Sequence, residues 1–134
     1  MENNLIQIKA IDHINFRVQN LEESIRFYGK LFGFEEKERG MRNGEPWAII
    51  GKPNVAYFCL YQKTNSERNN DGLRINHFGF CVENFDEIEE KLKANGVKMF
   101  YDEPIRWAKS RSLYFEDPSG YEIELSENFG GGLE

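Results

Sequence analysis

The sequence predicts an α+β fold assembled from two βαβββ modules, and three observations lead to it. Asn76 to Glu87 lies over Asp12 to Glu23 at an offset of 64, with His, Phe, Val, Asn and Glu recurring in register. Each copy carries an apolar helical stripe that ends at a glycine, Gly33 in the first and Gly96 in the second. Strand-like stretches follow each helix. A repeat of this kind is informative because one unit cannot bury its own apolar face alone. Two units side by side would bury the helix-facing side of a curved mixed sheet and leave the opposite face as a shared concave cup.

The elements follow in chain order. Ile11 to Val18 reads as the first strand, with Ile14, Phe16 and Val18 on one face and His13, Asn15 and Arg17 on the other. Asn20 is the expected helix N-cap, with Glu23 as its capping-box partner. Leu21, Ile25, Tyr28 and Phe32 form the helical stripe. Breaks at Gly40, Asn43-Gly44 and Pro53-Asn54 divide the next stretch into strands at 34–41, 46–50 and 55–62. Residues 63–72 read as a polar linker. In the second copy Asn84 and Glu87 repeat the cap, and Phe85, Ile88 and Leu92 the stripe. Strands are expected at 97–101, 112–116 and 121–127. Asp117-Pro118-Ser119-Gly120 is a turn leading into the last of these. That strand overlays 56–62 at an offset of 65, which puts Cys59 under Glu124 and Leu60 under Leu125. The whole reads as a single domain over 1–134, with module one at 8–62, module two at 73–127 and a tail at 128–134 that carries no core pattern.

The chain has 134 residues and is 40% hydrophobic, enough for one core without disulfides or metal staples. A net charge of −6 argues against nucleic acid as a partner. No apolar run approaches the ~20 residues of a membrane span, and Met1-Glu2-Asn3-Asn4 lacks the features of a signal peptide. Two cysteines, Cys59 and Cys81, lie inside strand-like runs and are expected as buried thiols in a reducing cytoplasm.

The alternation that builds the core also assembles a candidate site. His13 points away from Ile14, Phe16 and Val18. His77 points away from Phe78, Phe80 and Val82, and Glu124 away from Ile123 and Leu125. These two histidines are the chain's complete complement, and they occupy equivalent positions of the repeat. Two imidazoles and a carboxylate with open positions for water or substrate is a catalytic coordination pattern for a divalent metal such as Zn, Ni, Mn or Fe(II). No organic cofactor is evident. Glu124 is the candidate catalytic residue, as a ligand able to shuttle a proton. Trp47, Tyr57, Tyr61, Trp107 and Tyr114 are candidate aromatics of the cup. Cys59 reads either as a soft ligand or as a small apolar thiol.

Asp12-His13, Ser24 to Tyr28, Leu31-Phe32-Gly33, Asn76 to Phe80 and Phe115 to Leu125 together resemble the vicinal oxygen chelate superfamily over about residues 8–127. That group holds glyoxalase I, fosfomycin-resistance enzymes, extradiol dioxygenases and metal-free bleomycin-binding proteins. The resemblance implies paired βαβββ modules, a divalent metal that chelates neighbouring oxygens of a small-molecule substrate, a thiol co-substrate in some members, and a homodimer. It favours a lyase or isomerase of the glyoxalase kind. The alternatives are thiol or water addition to an epoxide, extradiol oxygenation and ligand sequestration. Cys59 stands where glyoxalase I has a fourth ligand. Arg17 resembles its residue for a glutathione carboxylate. Arg111 to Phe115 resembles the fosfomycin-resistance strand, whose Tyr stands ten residues before the ligand Glu, as Tyr114 stands before Glu124.

Overall fold

The computed structural model describes residues 5, 10–63, 75 and 77–133. The polar linker read at 63–72 lies, apart from Lys63, outside the described residues. The chain divides into two compact units, Met1–Ser66 and Glu67–Glu134. Each is a four-stranded mixed sheet carrying helix on one face.

In the first unit β1 (Ile14–Val18) leads into α1 (Leu21–Phe32), then β2 (Glu35–Arg42), β3 (Glu45–Lys52) and β4 (Ala56–Gln62). The sheet order is β1-β4-β3-β2, with β1 and β4 parallel and the other pairs antiparallel. Helix α1 starts as its sequence requires: Asn20 is extended and its side-chain oxygen accepts from the Glu23 N–H at 2.9 Å. It stops at Gly33, left-handed at φ 73°, where any side chain would be strained. Tyr28 is fully buried and packs against Phe34 and Phe58. Ala48, Ile50, Phe58 and Leu60 present the sheet's covered face.

The second unit repeats this plan. Its strands are β5 (His77–Cys81), β6 (Ile105–Arg106), β7 (Arg111–Glu116) and β8 (Glu122–Ser126), in the order β5-β8-β7-β6, with β5 and β8 parallel. Helix α2 (Ile88–Ala94) follows a 3-10 turn at Phe85–Glu87. The core is Phe85, Leu92, Leu113, Phe115, Ile123 and Leu125. Asp117 is buried, and its Oδ1 accepts from the N–H groups of Ser119 and Tyr121, which closes the turn that aims β8.

The structure corrects three local expectations. β1 starts at Ile14 rather than Ile11, so His13 lies just outside the strand, and Ile11 is 83% exposed with no face to cover. Asn84 does not repeat the side-chain cap of Asn20. It is left-handed at φ 57°, a region Asn tolerates, and the turn is closed by the Glu87 N–H on the Asn84 carbonyl at 3.0 Å. The stretch 97–101 contributes one bridge, Met99 to Phe115, and the edge position belongs to the two-residue β6.

Candidate metal centre

Within the second unit the site is built from alternation and register. Ile123 and Leu125 are buried, so Glu124 between them projects from the sheet face opposite α2. The parallel pairing of β5 and β8 sets Gly79 opposite Glu124, one step along from His77. Gly79 presents no side chain there; a Cβ would press to 3.2 Å from the Glu124 carbonyl. His77 therefore reaches across the gap, and its Nε2 lies 3.1 Å from Glu124 Oε1. On the other flank β7 places Tyr114 opposite Glu124 and Ser112 one step along. Ser112 is 1% exposed and its hydroxyl donates to Glu124 Oε2 at 2.6 Å. One carboxylate oxygen is thus held by Ser112 while the other faces the imidazole. Burial and then the negative charge of Glu124 push the Tyr114 phenol above its ordinary value, while hydrogen bonds with Ser112 and Trp107 pull it back.

In the first unit His13 stands at the entrance to β1, and its Nδ1 lies 2.8 Å from an Asp12 carboxylate oxygen. With the proton on Nδ1, that contact leaves Nε2 as a free lone pair, the arrangement that metal-ligating histidines use. Among the described residues no three of His, Cys, Asp and Glu gather into a group that could hold a metal; His77 and Glu124 stand as a pair.

The other sequence candidates separate by face. Arg17, Tyr57, Cys59, Tyr61 and Trp47 share the open face of the first sheet, since Arg17 pairs with Tyr61 and Tyr61 with Trp47. Arg17 bonds Glu45 at 3.1 Å, and the rings of Trp47 and Tyr61 lie 6.4 Å apart. Trp107 and Tyr114 lie with Glu124. Arg111 does not: it alternates to the covered side, forks onto Glu127 at 2.9 and 2.8 Å, meets Asp86 and lies over the Phe85 ring. Its contacts tie the Phe85–Glu87 turn to the sheet. Neither cysteine is buried as expected, since Cys59 is intermediate and Cys81 exposed. Ser112 and Gly79 escaped sequence reading. A serine in an apolar strand directly across from β8 was the available signal.

The two units carry the overlay of Cys59 on Glu124 down to the register. Cys59 pairs with Asn15 across β1 and β4, just as Glu124 pairs with Gly79 across β5 and β8. Burial and the nearby Glu38 carboxylate push the Cys59 thiol upward from its ordinary 9.0. The folded chain therefore holds this proton more tightly than the unfolded one. The resulting stability is full below the ordinary value and is lost as pH rises through the raised one. Denaturant unfolding at about pH 8 and about pH 10 should show a smaller alkaline loss in Cys59→Ala than in wild type; equal losses would remove the thiol as the cause.

Residues 10–125 match the family model of the Glyoxalase/Bleomycin resistance protein/Dioxygenase superfamily. The chain is 30% identical over 122 residues to the metallothiol transferase FosB of Staphylococcus epidermidis, covering 90% of this chain and 82% of that one. It is 32% identical over 124 residues to a trivalent organoarsenical cleaving enzyme of Bacillus sp., covering 84% and 70%. It is 29% identical over 127 residues to the lactoylglutathione lyase of Escherichia coli O157:H7, covering 90% and 93%. A solved variant of the fosfomycin resistance protein FosX from Listeria monocytogenes, complexed with Mn(II) and a dihydroxypropylphosphonic acid, superposes with a TM-score of 0.73 at 21% identity, covering 92% and 96%. That likeness is one of fold. No helix among the described residues is long and apolar enough to cross a membrane.

Proposed function

Because the chain belongs to the Glyoxalase/Bleomycin resistance protein/Dioxygenase superfamily, we propose that it is a metal-dependent enzyme: His13, His77 and Glu124 hold one divalent ion, and a small electrophile with neighbouring oxygens is attacked there by a thiol or by water. The residues fit such an ion. The His77 imidazole Nε2 and a Glu124 carboxylate oxygen lie 3.1 Å apart, and Ser112 fixes the second carboxylate oxygen so that the first keeps its aim. Asp12 does the same for His13 by accepting a hydrogen bond from Nδ1. When bound, the ion supplies Lewis-acid polarisation of the substrate oxygens. Tyr114 offers a hydroxyl beside Glu124 to an oxygen that gains negative charge as the nucleophile adds. Support for His13 comes from the repeat and from the resemblance.

The choice of addition over isomerisation rests on Cys59. An isomerase must remove a proton and return it, which calls for a base beside the ligands. The repeat-equivalent of Glu124 is a thiol pushed upward by burial and by Glu38, so in the first unit the position itself carries no carboxylate, and Glu38 stands two strands away on the same face. Addition moves one proton, from the attacking thiol or water to the oxygen released, which the single carboxylate of Glu124 beside the Tyr114 hydroxyl can carry. The metallothiol transferase relative supports this reading. The lactoylglutathione lyase relative keeps an isomerase or lyase as the second one. In this proposal the partners are a small electrophile, a thiol and a second copy of the chain, in the cytoplasm.

The test is a metal-screened assay with fosfomycin plus L-cysteine and with methylglyoxal plus the same thiol. Metal-dependent consumption of the epoxide, lost in both His13→Ala and His77→Ala, is expected. Turnover of methylglyoxal alone would transfer the assignment to the lyase. Full activity in His13→Ala would take that residue out of the ligand set.

A further inference from the structure

The His77–Glu124 pair stands beside an aromatic wall that the coordination chemistry does not use. The Tyr114 ring lies edge-on to the His77 ring at 6.0 Å, and the Tyr101 ring edge-on to Tyr114 at 5.6 Å. Trp107 stands close enough to Tyr114 to influence its phenol, and its backbone is fixed by a 2.8 Å bond to the Ser110 carbonyl. Tyr114 is 9% exposed, whereas Tyr101 and Trp107 are 50% and 54% exposed. Half-exposed rings anchored at one edge to a buried one offer ready apolar area at little cost in side-chain entropy.

The charge on this face is also informative. The strand arginines of the second unit are on the opposite side: Arg106 pairs with Arg111, which alternates away from Ser112, and Arg111 is held by Glu127 and Asp86. The strand side chains beside Glu124 are Ser112, Tyr114, Ser126, Glu122 and His77. Among the described residues of β5 to β8, none on this face is a cation.

We propose that this wall receives an uncharged planar group, aryl or alkenyl, carried by the substrate next to its two chelating oxygens. This rests on the reading of His77 and Glu124 as metal ligands. A flat neutral group can stack on or edge against Tyr101 and Trp107, which are half exposed.

Three hydroxamates test it by calorimetry on the Zn(II)-loaded full chain. Acetohydroxamate, cyclohexanecarbohydroxamate and benzohydroxamate present the same pair of oxygens and differ in a methyl, a saturated ring and a planar ring. Benzohydroxamate is expected to bind about tenfold tighter than either other compound. In the Tyr101→Ala/Trp107→Ala variant that advantage should fall below about threefold, with acetohydroxamate affinity unchanged. Equal affinities across the three, equal affinities for the two ring compounds, or an advantage that survives in the variant would overturn the inference while leaving the metal site standing. Absence of Zn(II)-dependent binding by every hydroxamate would overturn the metal reading and the inference with it.

Discussion

Glu124→Gln removes divalent-metal binding from the intact chain and leaves the metal-free thermal midpoint within about 2 °C of wild type. The two halves of this result have separate causes. Gln keeps the shape of Glu and an oxygen that accepts from Ser112, the contact that measures 2.6 Å in the wild type. The side chain is 21% exposed and projects from the open face, so the apolar packing of Ile123 and Leu125 is untouched. What disappears is the charge and the second hard oxygen beside His77 Nε2. Loss of an outer-shell partner typically costs 10–100-fold in metal affinity, and loss of a ligand should exceed that. The readout is a calorimetric titration with Zn(II) and Mn(II), joined to a melt with and without metal. A ligand at 100 times its Kd stabilises a protein by about 2.7 kcal/mol, so wild type should gain in midpoint where Glu124→Gln gains nothing. A variant that binds as tightly as wild type would mean that the pair is structural. Ser112→Ala provides the internal comparison. It should weaken metal by the outer-shell amount only, because it frees the carboxylate to rotate without removing it.

The frame of the fold is legible wherever local chemistry leaves little choice. Asn20 followed by Glu23 specifies a side-chain cap, and Gly33 a left-handed stop, because few residues serve at those positions. The same holds for Asp117 to Gly120, where the carboxylate satisfies two backbone donors that a turn leaves open. Where several solutions have similar energy, pattern alone fails. Asn84 occupies the same place in the repeat as Asn20, yet Asn serves equally well left-handed, and the 3-10 entry to α2 uses it that way. Tyr101 lies in a stretch with strand-like composition that makes a single bridge, because two residues of β6 take the edge instead. The shared face of His77 and Glu124 was readable because alternation assigns faces without knowledge of tertiary structure. Ser112 was not, since its importance depends on register between β7 and β8, which a single sequence does not display.

That register supports the second large effect, because residues 58 and 59 are adjacent and should behave oppositely. Phe58→Ala is expected to destabilise by about 3–5 kcal/mol. Phe58 is 1% exposed and its ring meets Tyr28 at 5.3 Å, Phe34 at 5.2 Å and Phe16 at 5.1 Å. Removing it opens a cavity at the centre of an aromatic cluster whose members are fixed by α1 and by β1, so collapse is hindered. Against a total stability of roughly 5–15 kcal/mol for a domain, the melting midpoint should fall on the order of 10–20 °C. Cys59→Ala removes one sulfur from the opposite face, beside Ile49 and Asn15, and should cost less than about 1 kcal/mol at neutral pH. The contrast tests the strand directly, since a slip of one residue exchanges the two faces and would exchange the two effects. It also tests the equivalence with Glu124. If Cys59→Ala is the costly change, the thiol belongs to the core, the overlay of residues 56–62 on 121–127 is off by one, and the reason for preferring addition over isomerisation falls with it.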